Sequence, residues 1–559
     1  MQVFDTIETE VLVVGGGGAG ARAAIAAQEN GADVLLATKH FLGRSGCTPQ
    51  LAYMSAVGPW GATDDSVELA VQDLLRSGGY LGDPSQLKIL MEESRDRIAD
   101  LEAYGARFDK DKDGRYITGQ LAGHSKPRTL TFSSRKLGSS MMQALGYEIR
   151  RRKIRTLEQV MLTKLFKNEG CITGGSFLDY LRGKYLVVFS KCVVLATGGY
   201  GAIYSPSTVS KEDTGDGLAL ALEAGTELVD MENVPFLPGS NRAWGSQKSW
   251  GETPHFLNTR GERFMMRYNP DGAEFATKEI LVQSIAREVK EGRGTKRGGV
   301  YSDLSYLPWD EPSVQTDMSD LVEDGKRFGY DPRKDPVEIW PVAHTPTGGI
   351  PTGENGETNI SGLYAAGSVA FGMYGFGRIE GFTSMITQVF GKRAGEAAAK
   401  KAKLIPLARP IPEDVETERK RVTSILDQKD GERPAGIVQR IHSIMYENAW
   451  VLRDEKSLTA GLEEILKLKK TKMAVQSSSK VLNAEWLEAL EVPNLLLMAE
   501  LLLRASLMRK ESRGSFSRTD YPNVDEDNWH LNIAFKKNGD TISLYKKTGL
   551  GQMEDFSQK

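Results

Sequence analysis

The sequence predicts an α/β protein: a doubly wound dinucleotide-binding domain with an inserted α+β capping domain, followed by a helical domain. Three observations predict it. In "VLVVGGGGAGARAAIAAQENGADVLLATKH" (11–40) an apolar strand runs into a glycine cluster, a helix of small residues and a second apolar strand. Between about 230 and 340 the chain turns to Trp-, Pro- and Arg-rich segments separated by amphipathic helices. Across 411–510 apolar residues recur at three and four, as in "IVQRIHSIMYENAWVL" and "NLLLMAELLLRASLM", the period of helices that bury one face.

At 559 residues the chain is too long for one core. The expected divisions are 1–229 and 341–405 for the two parts of the dinucleotide domain, 230–340 for the insertion, 406–510 for the helices and 511–559 for a tail. The formal charge is -3 and the pI about 6.2, with no long run of one sign. That excludes a nucleic-acid binder or a polybasic membrane anchor. No stretch reaches the roughly 18 to 20 apolar residues that span a bilayer. The start, "MQVFDTIETE", lacks the basic and apolar segments of a signal peptide, so a soluble, cytoplasmic protein is expected. The three cysteines, Cys47, Cys171 and Cys192, are too few and too scattered for an iron–sulfur cluster, which takes about four thiolates. No metal site is expected, and an iron–sulfur centre would belong to another protein.

Element by element, "VLVV" (11–14) reads as a buried parallel strand. Gly15, Gly17 and Gly20 fit G-x-G-x-x-G, with Gly18 and Ala19 between them. The first glycine makes the tight turn, the second lets backbone N–H groups reach a pyrophosphate, and the third lets the helix approach the strand. The acid that usually ends the second strand and holds a ribose is replaced by Thr38-Lys39, which argues against NAD. "LEQVMLTKLF", "CITGGSFLDYL" and "YLVVFSKCVVLATGG" (157–199) alternate as a meander that returns to the parallel sheet. "TGDG" (214–217) opens a compact helix, and the sheet resumes at "GLYAAGSV". The tail alternates again, "WHLNIAFKK" and "TISLYKK", as a terminal hairpin does.

With "VVLATGG", "TGDGLALALEAG" and "GLYAAGSV" in this order, the chain resembles the flavoprotein subunits of fumarate reductase and succinate dehydrogenase. That group includes L-aspartate oxidase and the adenylylsulfate reductase flavoprotein. "GHSKPRT", "NTRGERFM", "HTPTGGI" and "RKESRGSFSRTDYP" extend the resemblance over nearly the whole length. It implies FAD. The cofactor residues it implies are Gly15, Gly17, Gly18, Ala19, Gly20, Thr38 and Lys39, then Ser45, Gly46, Cys47, Thr48 and Val160. Ala196, Thr197, Gly198, Gly199, Asp216, Gly367, Ser368, Ser384 and Met385 complete the set, with His344 and Arg378 at the flavin end. Many members carry glutamate where Ser368 stands. Membrane-complex members attach flavin through the histidine of R-S-H-T; here Gly46 stands at that place, which implies non-covalent FAD. Cys47 is either a neighbour of the flavin or a small buried residue.

The implied chemistry is hydride exchange between flavin N5 and a carbon beside a carboxylate. His344 and Arg378 match the residues that clamp that carboxylate, and fork-shaped cations suit the task. Two partners differ. The pattern F-H-P-T reads Phe236-Leu237-Pro238-Gly239, and counting eight back from Asn258 to the expected proton-donating arginine gives Trp250. Indole N–H only donates hydrogen bonds and cannot shuttle a proton. Three readings stand open. Arg242 or Lys248 supplies the cation; the pocket is rebuilt for another acid, with Trp244 or Trp250 as a stacking face; or the chain is an electron-transfer module. His124 and Arg128 are either near the flavin or parts of a packed salt bridge. The expected activity is FAD-dependent two-electron transfer with a carboxylate-bearing substrate other than fumarate, in a subunit that meets an iron–sulfur protein, on the cytoplasmic side if the complex is membrane-bound. The alternatives are a true flavoprotein of fumarate reductase or succinate dehydrogenase, or one like that of adenylylsulfate reductase. The helices of 411–510 and "RKESRG" are where such relatives dock partners.

Overall fold

The structure, a computed structural model, describes residues 5–121, 123–130, 137–240 and 254–548. Its central sheet begins with β1 (Asp5–Val14), the helix α1 (Gly18–Glu29) and β2 (Val34–Thr38). In sheet order the strands are Arg155–Glu158, β2, β1, Lys184–Leu195, Cys171–Asp179 and Val160–Asn168. The long strand Lys184–Leu195 explains how a parallel sheet carries an antiparallel edge. Its first half pairs antiparallel with Cys171–Asp179, and its last residues pair parallel with Leu363–Ala365. Val11 to Leu36 of the first two strands form an apolar layer with helices on its faces, and Val11, Leu12 and Val13 are wholly buried, as strands covered on both sides require. The meander, the parallel return and the terminal hairpin thus all form as the alternation in the sequence predicts.

The insertion is α+β. Phe236–Gly239, Val337–Ala343, Val300–Asp303 and His255–Leu257 make a four-stranded antiparallel sheet. The helix Lys278–Lys290 packs Leu281 and Ile285 into a cluster with Phe256, Phe264, Val300 and Ile339. Two crossings, Phe236–Gly239 outward and Val337–Ala343 back, join it to the dinucleotide domain.

The helical part contains Pro412–Ser424, Pro434–Asn448, Glu455–Leu468 and Ala484–Met508. Asp454 and Ser457 close a reciprocal capping box at the third of these, satisfying N–H groups that the first turn leaves open. The terminal hairpin, Asn532–Asn538 with Thr541–Lys547, adds to Glu227–Val229 and so ties the tail to the first domain. Within "RKESRG", Arg509, Glu511 and Arg513 are buried. Arg509 Nε donates to Glu232 at 2.8 Å and Nη1 to Glu511 at 3.0 Å, with its guanidinium 4.4 Å from the Phe376 ring centroid. The charges of this motif therefore brace the interior, and only Lys510 and Gly514 of it are exposed.

Candidate functional site

The glycine turn places a groove at the carboxyl ends of β1 and β2. Gly15 has φ +118°, and a Cβ there would lie 2.1 Å from the Ala196 carbonyl oxygen, so only glycine lets the two strand ends converge. A Cβ on Gly20 would lie 1.8 Å from the Gly15 oxygen; its role is packing, one turn into α1. Gly18 N–H donates to Thr48 Oγ1 at 3.0 Å, and the first turn of α1 offers its other N–H groups and partial positive charge to an anion. A bare backbone cradle at a helix N-terminus fits the pyrophosphate of a dinucleotide.

Of the residues expected at the cofactor, Gly15, Gly17, Gly18, Ala19, Thr38, Lys39, Ser45, Gly46, Cys47 and Thr48 line this groove. Val160, Ala196, Thr197, Gly198, Asp216, Gly367 and Ser368 line it too. Gly20, Gly199, Ser384 and Met385 stand behind it. Gly199 N–H donates to Asp213 at 2.6 Å. Ser384 Oγ donates to the carbonyls of Tyr53 and Gly381, and Met385 is buried in the core. Lys39 is held by four oxygens: Glu212 O, Thr214 Oγ1, Asp216 Oδ2 at 2.8 Å and Glu491 Oε1 at 2.7 Å. Burial alone would push its ammonium down; Asp216 and Glu491 outweigh that and hold it above the usual value. Asp213, missed by the sequence reading, accepts from Gly199 and Gly201, and burial pushes its carboxyl up to about 6.

The groove opens at Cys47, Thr48, Ser368 and Thr387 into a second cavity of about 400 Å³. His344 and Arg378 both line that cavity, together with Leu237, Glu380, Thr208, Val209 and Leu51. Arg378 is buried; its Nε donates to Thr383 Oγ1 at 2.7 Å, its guanidinium lies 5.9 Å from the Tyr374 ring centroid, and its Nη1 has no hydrogen-bond partner among the described residues. A buried guanidinium N–H without an acceptor is costly unless a ligand supplies one. His344 Nδ1 shares a hydrogen bond with Thr208 Oγ1. Burial, with Arg378 and Lys278 nearby, pushes its imidazole well below its usual value, so it is neutral near pH 7. Cys47 Sγ accepts from Ser210 N–H at 3.4 Å, and burial raises its thiol. Cys47 is thus half-buried at the junction of groove and cavity.

Two further groups were not legible in the sequence. Glu380 forms an ion pair with Lys278 at 2.7 Å. Burial pushes its carboxyl up, but Lys278 and Arg378 outweigh that and leave it below the usual range. Lys278 is the first residue of the helix Lys278–Lys290, where the helix dipole disfavours a cation; Glu380 compensates it. The pair therefore links the insertion to the wall of the cavity. His124 donates or accepts at the Glu380 carbonyl at 2.9 Å and stacks on Phe382. Arg128 is consumed by Asp65 and Asp73, the packed salt bridge of the two readings. Arg242, Lys248, Trp250 and Trp244 lie outside the described residues.

A glycine cradle for a dinucleotide, opening onto a cavity lined by a buried arginine, is the arrangement of a dinucleotide-dependent oxidoreductase. Residues 10–383 match the FAD binding domain model and residues 438–553 the fumarate reductase flavoprotein C-terminal model. The chain belongs to the fumarate reductase/succinate dehydrogenase flavoprotein family and is an FAD-dependent oxidoreductase. It is 35% identical to a fumarate reductase (CoM/CoB) subunit of Methanothermobacter marburgensis, over 95% of this chain and 97% of that one. It is 29% identical to the succinate dehydrogenase flavoprotein subunit of Rickettsia bellii, over 98% and 96%. A solved E. coli quinol fumarate reductase FrdA superposes with TM-score 0.90 at 26% identity, covering 97% of each chain. Adenylylsulfate reductase of Archaeoglobus fulgidus, 20% identical over 97% and 96% with TM-score 0.80, shares the fold.

Proposed function

We propose that this chain is the flavoprotein subunit of a redox complex that exchanges two electrons with a carboxylate-bearing substrate other than fumarate. One observation carries the reading: Arg378 Nη1 is buried without a hydrogen-bond partner among the described residues, in a cavity continuous with the cofactor groove. When bound, FAD supplies two-electron chemistry at its N5. Every other task falls to side chains. Arg378, fixed through Nε by Thr383, takes a carboxylate and stabilises charge that builds up on it. Neutral His344, oriented by Thr208, adds a hydrogen bond. Lys278, held by its ion pair with Glu380 of the cavity wall, is the candidate proton donor, a role the indole of Trp250 cannot fill. Leu237 leaves an apolar surface where the resemblance calls for histidine.

FAD is proposed to be dissociable, because Gly46 offers no side chain for a bond and His40, which lines the groove, is engaged by Tyr180. Electrons are proposed to pass through a separate iron–sulfur protein. The three cysteines are free and far apart in the chain, and the similar proteins named above are themselves called subunits. No described helix is long and apolar enough to cross a membrane. Free thiols fit a reducing, cytoplasmic-side location.

The test is anaerobic oxidation of reduced viologen by the FAD-loaded protein, with fumarate and with a panel of other carboxylic acids. The expected result is no fumarate-dependent rate and a clear rate with another acid. Arg378→Ala should lower that rate by about 10²–10³-fold while FAD stays bound. Rapid fumarate-dependent oxidation would remove the exclusion of fumarate, and an unchanged rate in Arg378→Ala would remove the site.

A further inference from the structure

Two loops meet at the cofactor groove. One, residues 38–48, leaves the end of β2; the other, 209–216, leads into the helix Asp216–Ala224. Both line the groove, the first with His40, Gly46 and Cys47, the second with Glu212, Asp213 and Asp216. Contacts between them converge on Glu212. Its Oε2 accepts from Gly46 N–H at 2.6 Å, and its Oε1 lies 3.7 Å from His40 Nε2. Its backbone carbonyl accepts from Lys39 Nζ at 3.0 Å. Tyr180 OH stands 3.0 Å from the other nitrogen of that imidazole and donates to the Lys39 carbonyl at 3.0 Å. The first loop needs such an anchor. Gly43 and Gly46 have φ +77° and +73°, a region that glycine enters freely and at the greatest loss of conformational freedom. A carboxylate accepting from the Gly46 N–H is a charge-assisted bond, among the stronger kinds, and it fixes the softest part of that wall.

We infer that Glu212 is a positioning residue for the cofactor: its carboxylate ties the 38–48 loop to the 209–216 loop and so retains FAD without a covalent bond. The inference rests on the reading of FAD as dissociable and names the residue that keeps it in place. Glu212 acts through the Gly46 backbone and takes no part in the redox step. The contact between Lys39 and the Glu212 carbonyl survives any change of side chain, so the carboxylate can be tested by itself.

Cofactor release reads this directly. FAD-loaded protein is diluted at pH 7 and release is followed as the rise of flavin fluorescence, with affinity measured by titrating the apoprotein with FAD. Glu212→Ala should speed release and weaken affinity by about tenfold or more, the effect of losing a hydrogen bond to a charged group. Glu212→Gln, whose amide oxygen can still accept from Gly46 N–H, should recover most of that loss. Glu212→Leu, a second route should Glu212→Ala not fold, has similar bulk but no acceptor and should release FAD as Glu212→Ala does. Release as slow from Glu212→Ala or Glu212→Leu as from the unaltered protein overturns the inference and leaves dissociable FAD standing. So does release as fast from Glu212→Gln as from Glu212→Leu, since the acceptor would then be immaterial. Flavin that stays with the unaltered protein after acid denaturation overturns the reading of dissociable FAD and the inference with it.

Discussion

His344 and Arg378, the two proposed clamps, differ in kind, and pH acts on the imidazole. The imidazole of His344 is pushed far below its ordinary value by burial and two neighbouring cations, Arg378 and Lys278. The sign of the consequence follows from linkage. Below pH 6.5, its ordinary value, the unfolded chain takes up a proton that the folded chain refuses, so stability is full above that value and falls as pH drops. Urea unfolding of the protein and of His344→Gln should diverge most at pH 7.5 and converge toward pH 5.5. A gap that widened on acidification would show that His344 is charged in the folded protein. Both residues were legible as candidates for one cavity because each lies in a short motif whose neighbours identify it. Glu380 and Lys278 were not, since an ion pair between residues 102 positions apart leaves no mark in local spacing. Lys39 was legible as a groove residue, but not as the partner of Glu491, which arrives from a helix 452 positions on.

At the scale of elements, the βαβ unit is the part the sequence describes best. Strand, turn, helix and strand are contiguous, and each glycine answers a local demand. Gly15 shows the demand most clearly: at φ +118°, with the Ala196 oxygen 2.1 Å from any added Cβ, alanine must both strain the backbone and push two strands apart. Gly15→Ala is expected to destabilise the domain by at least ~2 kcal/mol and to yield protein depleted of FAD, read from the ratio of flavin to protein absorbance after purification. Full occupancy in that variant would mean that the strand ends can spread without cost to the groove. The insertion was legible only as a change of composition. Its sheet pairs Phe236 with Ala343, across an interval no periodicity can bridge, and that pairing is what brings Leu237 to the cavity.

For the molecule as a whole, the C-terminal segment is a brace that runs back to the first domain. Arg509 joins Glu232, Glu511 and the carbonyls of Trp529 and Leu531 in one buried cluster. Removing it strands carboxylates away from water. Arg509→Met should therefore cost about 3–5 kcal/mol, measured by urea unfolding, although Arg509 lines neither groove nor cavity. A loss under about 1 kcal/mol would mean that water reaches the cluster. The resemblance pointed to this motif, with the helices of 411–510, as where relatives dock partners; three of its charged side chains, Arg509, Glu511 and Arg513, turn inward, which composition does not reveal.

The ion pair between Lys278 and Glu380 has a consequence for the timing of release. Lys278 belongs to the insertion, while Arg378 and Glu380 belong to the loop beneath it. Any outward motion of the insertion carries Lys278 away with it. Among the described residues, what remains at the mouth is an arginine beside a glutamate stripped of its ion pair. Opening would thus be coupled to letting go: the same movement that admits solvent also switches off the electrostatic grip on whatever has just been made.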